Sequence, residues 1–453
     1  MPIRPQAYRP AAALQRLGSD FWDPVAAADF PETRLRYRND RAAAQVGLDA
    51  LTDDEWLRHF GRFDPLPGTL PGPLALRYHG HQFRSYNPEI GDGRGFTFAQ
   101  LRDDRDRLLD LGTKGSGRTP WSRSGDGRLT LKGGMREILA TEMLEALGVP
   151  TSRTLSLIET GEALERGDEP SPTRGAVMVR LSHSHIRIGS FQRLAYLRDE
   201  ANMRRLVDYV LHELYSEEPG QEPALRLFDL VLERAARLAA SYMAAGFVHG
   251  VLNSDNINVT GESFDYGPWR FAPTWDAGFT AAYFDHAGLY AFGRQPEAIH
   301  WDVMQLAGSL RLIAESEPLV ALLDTFGPRL QHYIAAAMLW RLGLTPQGGD
   351  TDRALIQSLE RTLRATGVEL HRFFHDAFAR ALPKSYGEDW SDFRTLAASY
   401  APRKERGRYW DDKPCGMLID EVEAIWSPIA ESDDWSRLHA KIAEVRRLGD
   451  ALA

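Results

Sequence analysis

Only one of the 453 residues is a cysteine, Cys415, so no disulfide can form within the chain. This fits a reducing compartment, where thiols stay free. No apolar run approaches the roughly 18 residues needed to cross a bilayer. The opening MPIRPQAYRPAAALQRL is basic and slightly amphipathic, but it lacks the apolar core of a secretory signal, and Asp20 and Asp23 follow soon after. A cytoplasmic protein without a membrane partner is expected. A basic excess is missing too. The formal net charge is −9, and acidic residues are scattered among the arginines. No positive stripe forms, which argues against a nucleic-acid partner. Repeats and low-complexity tracts are also lacking.

What is present is an ordinary globular composition, 43% hydrophobic and 26% charged, enough for one large two-lobed domain or two smaller ones. Residues 1–75 read as an N-terminal extension rich in Pro, Asp and short helical pieces, ending in a Pro- and Gly-punctuated stretch. Residues 76–190 read as a strand-rich nucleotide-binding part, with strands expected at Gly95–Leu101, Leu108–Thr113, Thr154–Thr160 and Ala176–Leu181. Between the second and third of these, Met135, Ile138, Leu139, Met143 and Leu147 recur at helical spacing, and Gly148 and Pro150 stop the helix. Residues 191–453 read as helical. A long amphipathic helix runs through Leu227, Val231, Ala235, Leu238 and Tyr242 to Gly246. Further helices are expected near 301–316, 318–343, 351–367 and 433–452. The fold class is α+β, with a strand lobe, a helical lobe and a ligand cleft between them.

Four clusters carry candidate chemistry. In Gly91-Asp92-Gly93-Arg94, two glycines allow close backbone approach to a phosphate and Arg94 offers a planar fork of donors; a plain hairpin turn fits the same residues. A second stretch runs from Leu111-Gly112-Thr113-Lys114 through Gly117-Arg118 to Gly125-Asp126-Gly127-Arg128. Its backbone N–H groups could form an anion nest. It is not a P-loop, because the lysine precedes the glycines. Lys114 at a strand end instead resembles the kinase arrangement, in which a strand lysine meets a helix glutamate. Glu137, opposite the apolar face of its helix, is one partner, and Glu142 competes.

The third cluster spans Val179 to Gly189. Arg180 interrupts an apolar strand and needs an anion, because a lone buried guanidinium is costly; Arg187 could reach the same place. His183 and His185 have no third His or Cys nearby and read as structural. The fourth runs His249-Gly250-Val251 through Asp255-Asn256, then Asp265-Tyr266-Gly267. A kinase-like loop places a base two residues after His, a metal-binding Asn five further on, and later a metal-binding Asp-Phe-Gly. Here the base position is Val251, which takes no proton, and a new carboxylate, Asp255, precedes Asn256.

These segments, with Arg77 to Phe83 and Tyr86-Asn87-Pro88, resemble the selenoprotein O (SelO, or YdiU) family of protein adenylyltransferases. The resemblance covers roughly residues 30 to 300. It implies a kinase-like fold that binds ATP in a flipped orientation and moves AMP to Ser, Thr or Tyr hydroxyls of proteins, including itself. It further implies Asp255 as proton acceptor, and Asn256 and Asp265 as ligands of Mg²⁺ or Mn²⁺. Lys114, Arg180 and Arg187 would hold the phosphates, with Glu137 orienting Lys114. Gly91, Gly93, Arg94, Asp126 and Gly127 match the remaining nucleotide-contacting positions. A monomer is expected. The C-terminal third departs from the pattern, at Ala401–Trp410 above all, and a cysteine near the C-terminus is missing. The alternatives left open are a kinase-like phosphotransferase, UMP transfer from UTP, and a silent nucleotide-binding scaffold.

Overall fold

The computed structural model describes residues 7–167 and 169–453. Its centre is a nine-stranded antiparallel sheet. The strand Thr173–Ser182 lies between Leu108–Lys114 and Arg153–Leu164, and Thr97–Arg102 flanks Leu108–Lys114 on its other side. All four expected strands are therefore present, three of them longer than expected and the first shifted to start at Thr97 rather than Gly95. Leu109, Leu111, Val177, Val179 and Leu181 pack on one face with Trp56, Phe60 and Phe98. On the other face Leu108, Ala176 and Met178 meet Met135, Ile138 and Leu139 of the helix Leu131–Ala146. Burial of both faces explains why Ala176–Leu181 reads as a continuous apolar run rather than an alternating one.

Five strands of this sheet were not visible in the sequence: Arg9–Ala11, Trp22–Pro24, Arg34–Arg38, Leu74–Leu76 and Leu129–Thr130. Arg34–Arg38 lies at its edge, where charged residues are compatible with strand structure and guard against edge pairing. Three of the five residues in its Arg-Leu-Arg-Tyr-Arg alternation are charged, so no apolar run announced it.

Thr130 caps the Leu131–Ala146 helix, its side chain accepting from the Gly133 N–H at 3.1 Å. This helix is buried nearly all round, which corrects the expectation of one apolar face and one polar one. The sheet covers one side. The C-terminal helices Ile419–Ser432 and Ser436–Leu452 cover another. Glu142 points to that side, where Arg446 grips it with two bonds of 2.6 and 2.8 Å and Tyr37 donates its hydroxyl. The C-terminal segment thus braces the helix that carries Glu137.

The remaining chain is helical, as expected, around the long helix Pro223–Ala245, which Gly246 ends in a left-handed conformation (φ +70°). The segment expected as one helix over 318–343 is two, Ser316–Leu323 and Phe326–Arg341. Pro328 lacks an N–H and is tolerated only in a first turn, so the second helix has to start just before it. Short paired strands, Phe247–Val248 and Arg270–Phe271, pinch together the two ends of the His249–Trp269 loop. No helix among the described residues is long and apolar enough to cross a membrane. Cys415 is buried and unpaired.

Candidate active site

A cleft of about 580 Å³ opens between the sheet and the His249–Trp269 loop. Gly91, Gly93, Arg94, Lys114, Asp126, Gly127, Arg180, Asp255, Asn256 and Asp265 all line it. Glu137 and Arg187 stand behind the lining, in contact with Lys114 and Asp265 respectively.

The strand register builds the cationic wall. Lys114 lies opposite Met178, and Gly112 opposite Arg180, so both cations share the face that looks toward Glu137. Lys114 Nζ pairs with the Glu137 carboxylate, and both side chains are nearly inaccessible to water. Glu142, already held by Arg446, is not the partner. Asp265 forms the hub. Its Oδ1 accepts from Arg180 Nη1 at 2.6 Å and lies 3.7 Å from Lys114 Nζ, while its Oδ2 lies 3.7 Å from Arg187 Nη1. Burial alone would raise the Asp265 carboxyl, but Arg180, Lys114 and Arg187 outweigh burial and hold it well below the usual range. Asp265 adopts a left-handed backbone conformation, φ +59°, an uncommon state for a residue with a β-carbon. His249 steadies the turn, because its Nε2–H donates to the Phe264 carbonyl at 2.9 Å. Arg180 and Arg187 both stack on the Phe264 ring, at 5.2 and 4.9 Å from its centre.

His185 is a positioning residue the sequence left as merely structural. Arg180 Nε–H donates to His185 Nε2 at 3.1 Å, so Nδ1 carries the ring proton and donates it to Asp110 at 3.2 Å. Gln100 fixes Asp110 in turn. The imidazole fits only because residue 112 is glycine: a Cβ there would sit 2.3 Å from His185 Cε1. Gly112→Ala is expected to cost about 1–3 kcal/mol through overpacking and to free Arg180 from its Nε bond. Urea unfolding reads the cost; an unchanged midpoint would mean that the ring moves aside freely.

Asp255 presents a second, different carboxylate. It is buried and its Oδ1 has no hydrogen-bond partner. Burial pushes its carboxyl up to about 6, against the pull of Arg187. Arg187 Nη1 donates to the Asp255 backbone carbonyl at 3.0 Å and Nη2 lies 3.3 Å from Asp92 Oδ1. Arg187 therefore ties the Gly91–Arg94 turn to the loop of Asp255. Asp302, which no sequence signal singled out, is fully buried with neither carboxyl oxygen hydrogen-bonded. Burial, and then the charge of Asp255, push it well above the usual carboxylate range.

At Gly91 and Gly93 the close approach is by Trp121: a Cβ on Gly91 would lie 2.5 Å from its ring, and one on Gly93 2.9 Å from its carbonyl. Gly127 (φ +71°) lets the glycine-rich loop fold back on Gly117, whose carbonyl a Cβ would meet at 2.2 Å. Asp126 pairs with Arg166 at 2.8 Å. Arg94 and Arg123 line the cleft with no side-chain hydrogen bond or ion pair among the described residues, and the charge of Arg123 reaches Asp255. Arg123 gave no sequence signal, because a single arginine in a loop has none.

The donor set suits a hard divalent cation. Asp265 offers carboxylate oxygens, and Asn256, whose Nδ2–H donates to the Val251 carbonyl at 3.0 Å, keeps its amide oxygen free. Among the described residues no three His, Cys, Asp or Glu gather into a complete ligand cage. Such a cation would need oxygens from a bound phosphate as well, the usual habit of Mg²⁺.

The family model described as protein adenylyltransferase SelO matches residues 5–401, well into the C-terminal third. A protein nucleotidyltransferase YdiU of Synechocystis sp. is 42% identical over 470 residues, covering 96% of this chain and 96% of the relative. The protein of the same description from Synechococcus elongatus is 43% identical, covering 100% of this chain and 97% of the relative. One from Gloeobacter violaceus is 44% identical, covering 98% and 96%. The chain belongs to the SelO family of protein nucleotidyltransferases.

Proposed function

We propose that this protein transfers AMP from ATP to Ser, Thr or Tyr hydroxyls of proteins, itself included. The observation that carries this reading is the separation of two carboxylates in one cleft. Asp265 is locked among three cations, while Asp255 is unpaired and tuned by burial to about 6. Only the second can take a proton near neutral pH. In the transfer, the acceptor oxygen bonds to the α-phosphorus, the bond from that phosphorus to the bridging oxygen breaks, and pyrophosphate leaves. The hydroxyl proton passes to an Asp255 carboxylate oxygen.

The architecture is read as kinase-like. A strand-rich lobe supplies Lys114, with Glu137 behind it, and the helical lobe supplies the His249–Asp265 loop. Val251, at the usual kinase base position, lines the cleft but accepts no proton. Arg94, Arg123, Lys114 and Arg180, which line the cleft, would bind the phosphates and the departing pyrophosphate, and such charge stabilisation is usually the largest catalytic contribution. Asn256 and Asp265 would hold Mg²⁺ or Mn²⁺, which supplies further neutralisation of phosphate charge. The same reading has a cytoplasmic monomer acting on proteins, not on nucleic acids or membranes.

ATP labelled on the α- or the γ-phosphate, and UTP labelled on the α-phosphate, test this. Label is expected on protein from α-labelled ATP alone. Label from the γ-phosphate would make the protein a kinase, and label from UTP would make it a uridylyltransferase.

A further inference from the structure

The cleft accounts for the nucleotide, yet an acceptor protein must also come to rest beside Asp255. A small hairpin lies there. Gly80–Gln82 pairs with Ser85–Asn87, and Phe83 and Arg84 alone form the turn. Both have positive φ, +50° and +63°. Two-residue turns of this hand favour Asn, Asp or Gly, and a β-carbon costs about 1 kcal/mol at each position. Arg84 finds compensation nearby, pairing with Glu297 at 3.1 Å and stacking on Trp301 at 5.5 Å. Phe83 is compensated less: it touches Tyr290 on one side yet is 38% exposed. Backbone outliers of this kind gather at functional sites.

The exposed ring is not isolated. Phe284, 42% exposed, lies 5.9 Å from Phe83, and Tyr283, 77% exposed, lies 5.1 Å from Phe284. The hairpin is fastened to the loop that carries Asp255. His81 N–H donates to Ser254 Oγ at 2.7 Å, and Phe83 N–H donates to Asn253 Oδ1 at 3.0 Å. A Cβ on Gly80 would lie 3.0 Å from the Asp255 Cβ. An aromatic surface is therefore held in register with the proton acceptor by two backbone hydrogen bonds.

We propose that Phe83, Phe284 and Tyr283 form the docking platform for the acceptor polypeptide, gripping a large apolar side chain a few residues from the hydroxyl that is modified. This rests on the transfer reading above. The occupant follows from continuity with the site: the acceptor hydroxyl must lie within hydrogen-bond reach of Asp255, and the chain bearing it then passes the hairpin fastened beside that residue. An extended chain covers about 3.3 Å per residue, so neighbours of the acceptor fall on the platform. Large, rigid aromatic rings are favoured at protein-binding surfaces because they bury much area at little entropic cost.

Matched peptides test the proposal, each with one Ser, Thr or Tyr and flanked two residues away by either Phe or Ala, with α-labelled ATP as donor. Wild type is expected to favour the Phe peptide about tenfold in kcat/KM, mainly through KM. Phe83→Asn keeps a residue that tolerates positive φ, and it should erase that preference while ATP still binds. Phe284→Ser should weaken the preference in the same way without touching the turn. Equal use of both peptides by wild type, or a preference that survives Phe83→Asn, overturns the docking platform and leaves AMP transfer standing. No label on any peptide or on the protein itself overturns both.

Discussion

Asp255→Asn should abolish nucleotide transfer while leaving the nucleotide bound. A positioned general base contributes roughly 10²–10⁴-fold, and the amide that replaces it cannot accept the acceptor's proton. The fold around it is undisturbed, because Arg187 holds the backbone carbonyl of residue 255 rather than its side chain. Initial rates with α-labelled ATP should therefore fall by about 10³, with the ATP dissociation constant changed only a few-fold. A variant that retained a tenth of wild-type activity would exclude Asp255 as the base.

The pH dependence follows from the same burial. As the proposed base, Asp255 would have to be ionised to act, and its carboxyl is pushed up to about 6. In wild type, kcat/KM should fall as pH drops through about 6, and Asp255→Asn should lack this limb. Stability moves the other way. A carboxyl whose folded value lies above its unfolded one favours the folded state fully at low pH, and that contribution is lost as pH rises through the folded value. Near pH 7 the buried charge then costs about 2–3 kcal/mol. Asp255→Asn should be more stable than wild type at pH 7, and the gain should shrink toward pH 4. Urea midpoints at the two pH values would detect it.

The parts of this site that were legible in the sequence share one property: each interrupts a local pattern. Arg180 breaks an apolar strand, so an anion had to be near, and Asp265 is there. Lys114 ends a buried strand and Glu137 lies on the next helix, which left only Glu142 as a rival. Asp255 sits beside Asn256 where the base position holds valine. What escaped notice depends on contacts between segments far apart in the chain. His185 is what requires Gly112, and Trp121, not the expected phosphate, is what requires Gly91, and neither contact leaves a period to read. The hairpin of Phe83 escaped because its turn residues are the ones turn chemistry disfavours. The strand Arg34–Arg38 escaped because three arginines hide its two buried-side residues. Pro328 was visible, yet the apolar periodicity over 318–343 masked the helix start that it demands.

Asp265→Ala should alter binding in a way that a simple loss of a metal ligand would not. In the free protein the Asp265 carboxylate neutralises Arg180 and approaches Lys114 and Arg187 within 3.7 Å. Removing it leaves a buried guanidinium without its anion, and losses of this kind cost about 3 kcal/mol. The apo variant should unfold at lower urea than wild type. The freed cations are then open to another anion. At an effective dielectric near 20, deleting one charge about 6 Å from a phosphate is worth about 2 kcal/mol or more. Metal-free pyrophosphate should therefore bind Asp265→Ala at least about tenfold more tightly than wild type. Adding Mg²⁺ or Mn²⁺ should tighten pyrophosphate binding to wild type and leave the variant unchanged. Transfer of AMP should nonetheless be lost, because the phosphates gain affinity without the oxygen ligand that Asp265 is proposed to give the cation. Calorimetric titration with and without the cation separates these effects. If the variant bound metal-free pyrophosphate more weakly than wild type, Asp265 would not be holding the cations in place of a phosphate, and the hub read from the geometry would fail.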